Sequence, residues 1–193
     1  MSEPIKSSPG RPRSGRSHQA ILKATLDLLG EVGYERMSIE AIATRAEVGK
    51  PTIYRRYASK EELVADAIES LREEISIPDT GSFWSDLDLI IESAARTTLT
   101  PLNRQLKALI ISTASSSPQF AQIYWTKYLQ PRRQAFRVVI ERAKTRNEVH
   151  ADTDSDLIFD LISGISLYAQ IFHPTSEPWE AYIRRALELF LRR

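Results

Sequence analysis

The stretch that decides the fold is Val48–Leu63, "VGKPTIYRRYASKEEL". Gly49 and Pro51 flank Lys50, and Pro51 stands where a first helical turn tolerates proline, because the missing N–H would have no partner there anyway. Ile53 and Tyr57 are four apart and share one face of the short helix that follows, which suits packing onto neighbouring helices. Lys50, Thr52, Arg55 and Arg56 fall towards the other side. Ser59 with Glu62 three residues on forms a capping box, so a further helix starts there and runs through Leu63, Val64, Ala67 and Leu71 towards Ile75.

Working upstream, Ser38 caps a short helix whose Ile39, Ile42, Ala43 and Ala46 face inward, and Glu47-Val48-Gly49 makes a tight connector. Before it, Ser17 is the expected N-cap of a longer helix through Ile21, Leu22, Leu26, Leu29 and Val32, with Gly33 as its stop. Two short helices joined by a few residues with a Gly are the mark of a helix-turn-helix. The second helix of that motif enters the DNA major groove, with phosphates on both flanks, which accounts for cations concentrated around aromatic rings. A solvated basic helix face is the competing reading. The Gly-to-Pro helix start and the adjacent capping box weigh against it.

The 193-residue chain has a net charge of +1, but residues 1–60 hold eleven Lys/Arg against six Asp/Glu, leaving 15 against 19 for the rest. A basic end on an acidic body is expected to meet a polyanion. The chain holds no Cys, which excludes disulfides, thiolate metal sites and cysteine nucleophiles. The first residues have no apolar core of the kind a secretory signal needs, and no apolar run is expected to approach the ~18 residues of a membrane span. A cytoplasmic protein without a membrane partner is the expectation.

With these residues in view, the chain resembles the TetR family of bacterial transcriptional regulators. The likeness rests on "AILKATLDLLGEVGYERMSIEAIATRAEVG" followed by "KPTIYRRYASKEEL", and covers about the first third of the chain. More loosely, "PRRQAF", "RAKTRNEV" and "DTDSDL" resemble one group of the family's C-terminal domains. The resemblance implies that Ser38 starts the helix whose N-terminus meets phosphate and that Glu40 occupies a position that reads bases in some members. It implies further that Lys50, Pro51 and Thr52 form the recognition-helix tip, that Tyr54 binds phosphate and that Lys60 anchors the fourth helix to the DNA backbone. Arg56 and Tyr57 stand where the family usually has His and Phe. Arg55 and Arg56 add charge for phosphate or a guanine edge.

Residues 1–16, rich in Pro and Gly with cations between, are expected to form a flexible basic arm whose Arg11, Arg13 and Arg16 meet DNA. Gly10-Arg11-Pro12-Arg13 resembles the core of an AT-hook, which lies in a narrow minor groove, but Pro9 replaces the preceding Arg. Charge alone or minor-groove reading both fit. Residues 17–62 are expected to be the DNA-binding domain and 63–193 a helical domain for ligand binding and dimerisation.

Beyond residue 80 the pattern is helical throughout, with Pro131 expected to kink or split a long helix that starts at Pro118. Residues 156–172, "DLIFDLISGISLYAQIF", are apolar nearly all round and must be buried on every side. The last helix carries a similarly wide stripe. Pairing with a second copy buries both, and the resemblance implies such a homodimer, through Leu157, Leu161, Gly164, Ile165 and Tyr168 with Ile183, Leu187 and Phe190. Trp84, Phe120, Tyr124, Trp125, Tyr128 and Phe136 lie on helices that the family uses to enclose a cavity, so a small apolar ligand is expected there, with ordinary core as the alternative.

Catalysis finds no support. His18, His150 and His173 are scattered, and Asp152, Asp154 and Asp156 lack the Gly and closing Glu of an EF-hand, so neither a metal nor another cofactor is expected. The sequence is therefore read as all-α, with about nine helices: an N-terminal three-helix DNA-binding domain and a C-terminal helical domain. The expected function is a ligand-responsive regulator, a repressor that holds a palindromic double-stranded DNA operator as a dimer until a small molecule releases it. A helical carrier or enzyme with an incidental basic end is the alternative.

Overall fold

A computed structural model describes residues 12–71, 77–173 and 175–191. The chain forms two compact units, the first ending at Leu71. Among the described residues all regular structure is helical.

The first unit holds α1 (Pro12–Arg36), α2 (Ile39–Arg45), α3 (Lys50–Tyr54) and α4 (Lys60–Glu69). α1 packs on α2 and α4, and α2 on α3. Ile21, Leu29, Ile42, Ile53, Leu63 and Ile68 form its fully buried centre. α1 breaks at Gly33 (φ 77°, ψ 169°), a backbone region that essentially only glycine adopts, so the sequence's stop signal becomes a sharp corner. The start of α1 differs from expectation. Pro12, not a Ser17 cap, opens the helix, since a proline at the first position already has its φ set for a helix. Residues 12–16, expected in the arm, are helical; Arg11 and the rest of the arm lie outside the described residues.

α3 is shorter than expected. It closes at Tyr54 because the Arg56 and Tyr57 N–H groups both donate to Ile53 O (2.8 and 3.0 Å), which turns the chain out of the helix. At the start of α4 Ser59 Oγ accepts from Glu62 N (3.2 Å) as the capping box requires, and Glu62 Oε2 reaches back past Ser59 to Ala58 N (2.9 Å). The helix ends at Glu69; Ile75, towards which it was expected to run, lies outside the described residues.

The second unit holds α5 (Phe83–Thr98), α6 (Pro101–Ser116), α7 (Pro118–Tyr124), α8 (Gln130–Thr145), α9 (Ser155–Phe172) and α10 (Trp179–Leu191). α7 and α8 are joined without a break by a π-helical turn, Trp125–Leu129, in which Gln130 N–H donates five residues back to Trp125 O. Pro131 follows at once. It has no N–H to donate and its ring crowds the carbonyl four residues back, so the wider turn accommodates it and the helix is neither split nor ended. Counting Pro118–Thr145 as one helix gives nine among the described residues, the expected number.

The core of this unit gathers Phe83, Leu87, Val139, Ile140, Ile183 and Leu187 from α5, α8 and α10. Glu148 caps α5 from the α8–α9 loop, its carboxylate accepting from Phe83 N at 3.1 Å where the helix dipole favours negative charge. Burial pushes the Asp86 carboxyl up, but two 2.7 Å hydrogen bonds from Thr80 and the charges of Arg146 and Arg142 outweigh it and hold it below its usual range.

α9 departs from two expectations. By length and composition it is a helix able to cross a membrane, with 18 residues at a mean hydropathy of 1.2. It also is not buried on every side. Ile158, Ala169 and Gln170 are buried, and Asp156 and Asp160 pair with Arg137 and Arg133 of α8 (2.5 and 2.6 Å). Leu157, Tyr168, Ile171 and Phe172 are exposed.

Candidate functional site

The turn between α2 and α3 is a Schellman motif. Glu47 N donates to Thr44 O (3.2 Å) and Val48 N to Ala43 O (3.0 Å), with Glu47 itself in the left-handed region at φ 53°. Gly49 is extended (φ −72°) and serves as N-cap of α3, ahead of Pro51. Ser38 Oγ caps α2 by accepting from Ala41 N at 3.1 Å. These local bonds fix how α3 stands on α2, and Ile53, fully buried, pins it.

Opposite Ile53, α3 turns its polar residues outward. Tyr54 is 58% exposed while Tyr57 is 3% exposed, so the two rings divide between outer face and core as the spacing predicts. Lys50, Pro51, Arg55 and Arg56 are exposed and Thr52 is half-buried. Arg55 Nη2 donates to Thr52 Oγ1 (3.2 Å), which places a guanidinium beside a hydroxyl on one turn. Lys50 Nζ lies 3.2 Å from Glu40 Oε1, so the expected base reader on α2 and the tip of α3 form one ion pair. The ten-residue separation gave no local sign of this pair.

Lys60, expected to anchor α4 to the DNA backbone, makes contacts within its own unit. Its ammonium donates to Tyr34 O (3.1 Å) and Met37 O (3.2 Å) and sits 4.1 Å above the Tyr34 ring. The Tyr34 hydroxyl in turn donates to Glu61. Lys60 thus ties the start of α4 to the α1–α2 connection, because those carbonyls beyond the Gly33 corner need donors. Of the arm residues, Arg13 lies in the first turn of α1 and Arg16 is exposed on it.

The second unit contains a cavity of about 300 Å³. Its walls are mainly apolar, with Ile110 and Ile111 of α6, Phe159, Ile162 and Leu167 of α9, and Trp179 of α10. Of the six aromatics expected to line it, Tyr124 does. Phe120 stacks behind Tyr124 at 5.5 Å, and Tyr128 lies 5.4 Å from it. Trp84, Trp125 and Phe136 are engaged elsewhere. The Arg184 guanidinium lies 4.1 Å over the Trp84 ring, Arg133 covers Trp125 at 5.6 Å, and Phe136 packs in the core against Phe159. The missed lining residues Lys107, Ile110 and Ile111 share a face at i, i+3 and i+4, so a lone cation on an apolar stripe was the available signal.

The expected dimer residues divide in two. Leu157, Gly164, Tyr168 and Phe190 are exposed, and Leu161 and Ile165 are half-buried. Ile183 and Leu187 are each 1% exposed and belong to the core of a single protomer. α10 is amphipathic rather than apolar all round; its inner stripe packs on α5, so those two residues do not reach an outer face.

A helix-turn-helix with a basic outer face, joined in one chain to a helical unit with an apolar cavity, defines a one-component, DNA-binding regulator. Comparison with known proteins agrees. Residues 21–67 match the bacterial regulatory proteins of the tetR family, and residues 77–190 match the tetracyclin repressor-like C-terminal domain. The chain is 30% identical over 181 residues to the HTH-type transcriptional regulator YdeS of Bacillus subtilis, covering 93% of this chain and 90% of that one. It is 29% identical over 153 residues to the DNA-binding transcriptional repressor TetR of Mycobacteroides abscessus, covering 74% and 75%. The solved structure of the flavonoid-responsive regulator FrrA shares the fold, with a TM-score of 0.70 at 22% identity over 91% of this chain and 95% of that one. The protein belongs to the TetR family of bacterial transcriptional regulators.

Proposed function

We propose that the protein is a repressor that holds a palindromic operator as a homodimer and lets go when a small molecule fills the cavity of its second unit. The observation that carries the DNA-binding part is the division of α3 and the turn that closes it, with Ile53 fixed in the core while Lys50, Tyr54, Arg55 and Arg56 are exposed. Tyr54 and the arginines serve phosphates, and Lys50 and Thr52 read bases. Repression is supported by the relative named as a repressor. Dimerisation is supported by the heptad-like stripe Leu157, Leu161, Gly164, Tyr168 and Ile171 along the outer side of α9, an apolar face that one protomer leaves uncovered. The compartment is the cytoplasm, where bacterial DNA lies.

The test is selection of binding sites from random duplex DNA, followed by footprinting. A palindrome with half-sites about one helical turn (roughly 34–36 Å) or a multiple apart is expected, with affinity falling steeply as salt rises. Selection of a single asymmetric site, protected by one protomer, would contradict the proposal.

A further inference from the structure

The charged side chains that line the cavity of the second unit are of one sign. Lys107 and Arg132 line it, and its described lining includes no Asp or Glu. Trp179 lines it as well, and its indole Nε1 is buried without an acceptor in the protein. Lysine, arginine and indole groups only donate hydrogen bonds. A buried donor with no acceptor is destabilising, and a bound acceptor relieves that cost. Ser163, Ser166 and Tyr124 add hydroxyls, and the rest of the wall is apolar, which lowers the screening of any charge held against it.

We infer that the ligand is a small amphipathic anion, a carboxylate on a flat or short aliphatic apolar body. The body packs on Ile110, Ile111, Phe159 and Leu167, and the carboxylate oxygens accept from the cations and the Trp179 indole. A neutral body of the same shape fills the same wall but leaves Lys107 and Arg132 partly desolvated with no added counter-charge. The inference rests on the ligand-cavity reading above and changes the expected ligand from an apolar molecule to an anionic one.

The test is calorimetric titration of the full-length protein with 1-naphthoate and 1-naphthamide, which share a ring system and differ in charge. Naphthoate is expected to bind about tenfold more tightly or better, since hydrogen bonds to charged groups are the stronger ones. Lys107→Gln and Arg132→Gln, made singly and checked for helicity by circular dichroism, are expected to reduce that ratio while naphthamide affinity stays close to wild type. Trp179→Phe is expected to weaken naphthoate more than naphthamide. Equal affinity of the wild-type protein for the two probes would overturn the anion preference and leave the cavity reading intact. No saturable binding of either probe, by protein that still binds operator DNA, would overturn both.

Discussion

Lys50 and Lys60 carry the same charge in one ten-residue stretch, and their partners separate their roles. Lys60 donates to two backbone carbonyls of its own unit, while Lys50 is exposed and paired with Glu40 at 3.2 Å. Lys60→Ala should therefore lower the stability of the first unit by about 1–3 kcal/mol, through two carbonyls left without their donor, and weaken all operators alike. Tyr54→Phe should also weaken all sites equally, with no loss of stability. Lys50→Ala and Thr52→Ala should instead change the preferred base by about 1–3 kcal/mol at the position each reads. Site selection and denaturant melts on the four variants separate these outcomes, and unchanged preference in both Lys50 and Thr52 variants would move base reading to Glu40 or Arg56. Tyr57 makes a second residue-scale prediction. Burial, then the nearby Asp66 charge, pushes its phenol up to about 12. The unfolded chain loses this proton near the ordinary value of about 10, so the stabilisation is full below that pH and is lost as pH rises through 12. Ultraviolet difference titration should show one tyrosine ionising late, and Tyr57→Phe should flatten the alkaline fall in stability.

At the scale of elements, two glycines in α1 separate backbone strain from packing. Neither Gly30 nor Gly33 has a neighbour that an added Cβ would strike. Gly33 has φ 77° and ψ 169°, so Gly33→Ala should destabilise by about 1–3 kcal/mol through backbone conformation alone. Gly30 lies in regular helix, and Gly30→Ala should stabilise by about 0.5–1 kcal/mol. Equal effects of the two substitutions on the denaturant midpoint would show that the corner at Gly33 does not govern the path of α1. The helix ends in the second unit follow similar local physics. Asn147, at φ 57°, closes α8 with the same bond pattern that Glu47 uses to close α2, and this delivers Glu148 to the N-terminus of α5.

For the whole molecule, burial decides which apolar residues hold the chain together and which stay exposed. Leu187 is 1% exposed and Phe190, three residues on, is 50% exposed. Leu187→Ala should cost about 2–5 kcal/mol of protomer stability as a core truncation. Leu157→Glu and Phe190→Glu should leave a folded chain that sediments as a monomer, because a charge would enter an apolar seam. A Phe190→Glu protein that stays fully dimeric would place the interface elsewhere. Coupling between ligand and operator belongs to this scale too. If the ligand weakens operator binding by some factor, the operator must weaken ligand binding by the same factor. Titrations of ligand with and without operator measure both, and a ligand that binds free and DNA-bound protein equally cannot be an inducer.

What the sequence determined by itself was local. The capping box at Ser59, the proline start of α3, the split of Ile53 and Tyr57 from Tyr54, and the helical class of the chain all follow from neighbours within four residues, where helix geometry fixes which side chains share a face. Their order along the chain was enough for the DNA-reading element and the family. Tertiary structure alone decided what depends on residues far apart. Lys60 turns inward because carbonyls 23 and 26 residues away need donors. Trp84 and Phe136 leave the cavity because an arginine and core residues from other helices claim them, and Trp179 enters it. Ile183 and Leu187 close the protomer core instead of a dimer seam, because an apolar stripe shows only that a face is covered, and the packing of α5 against α10 supplies the cover.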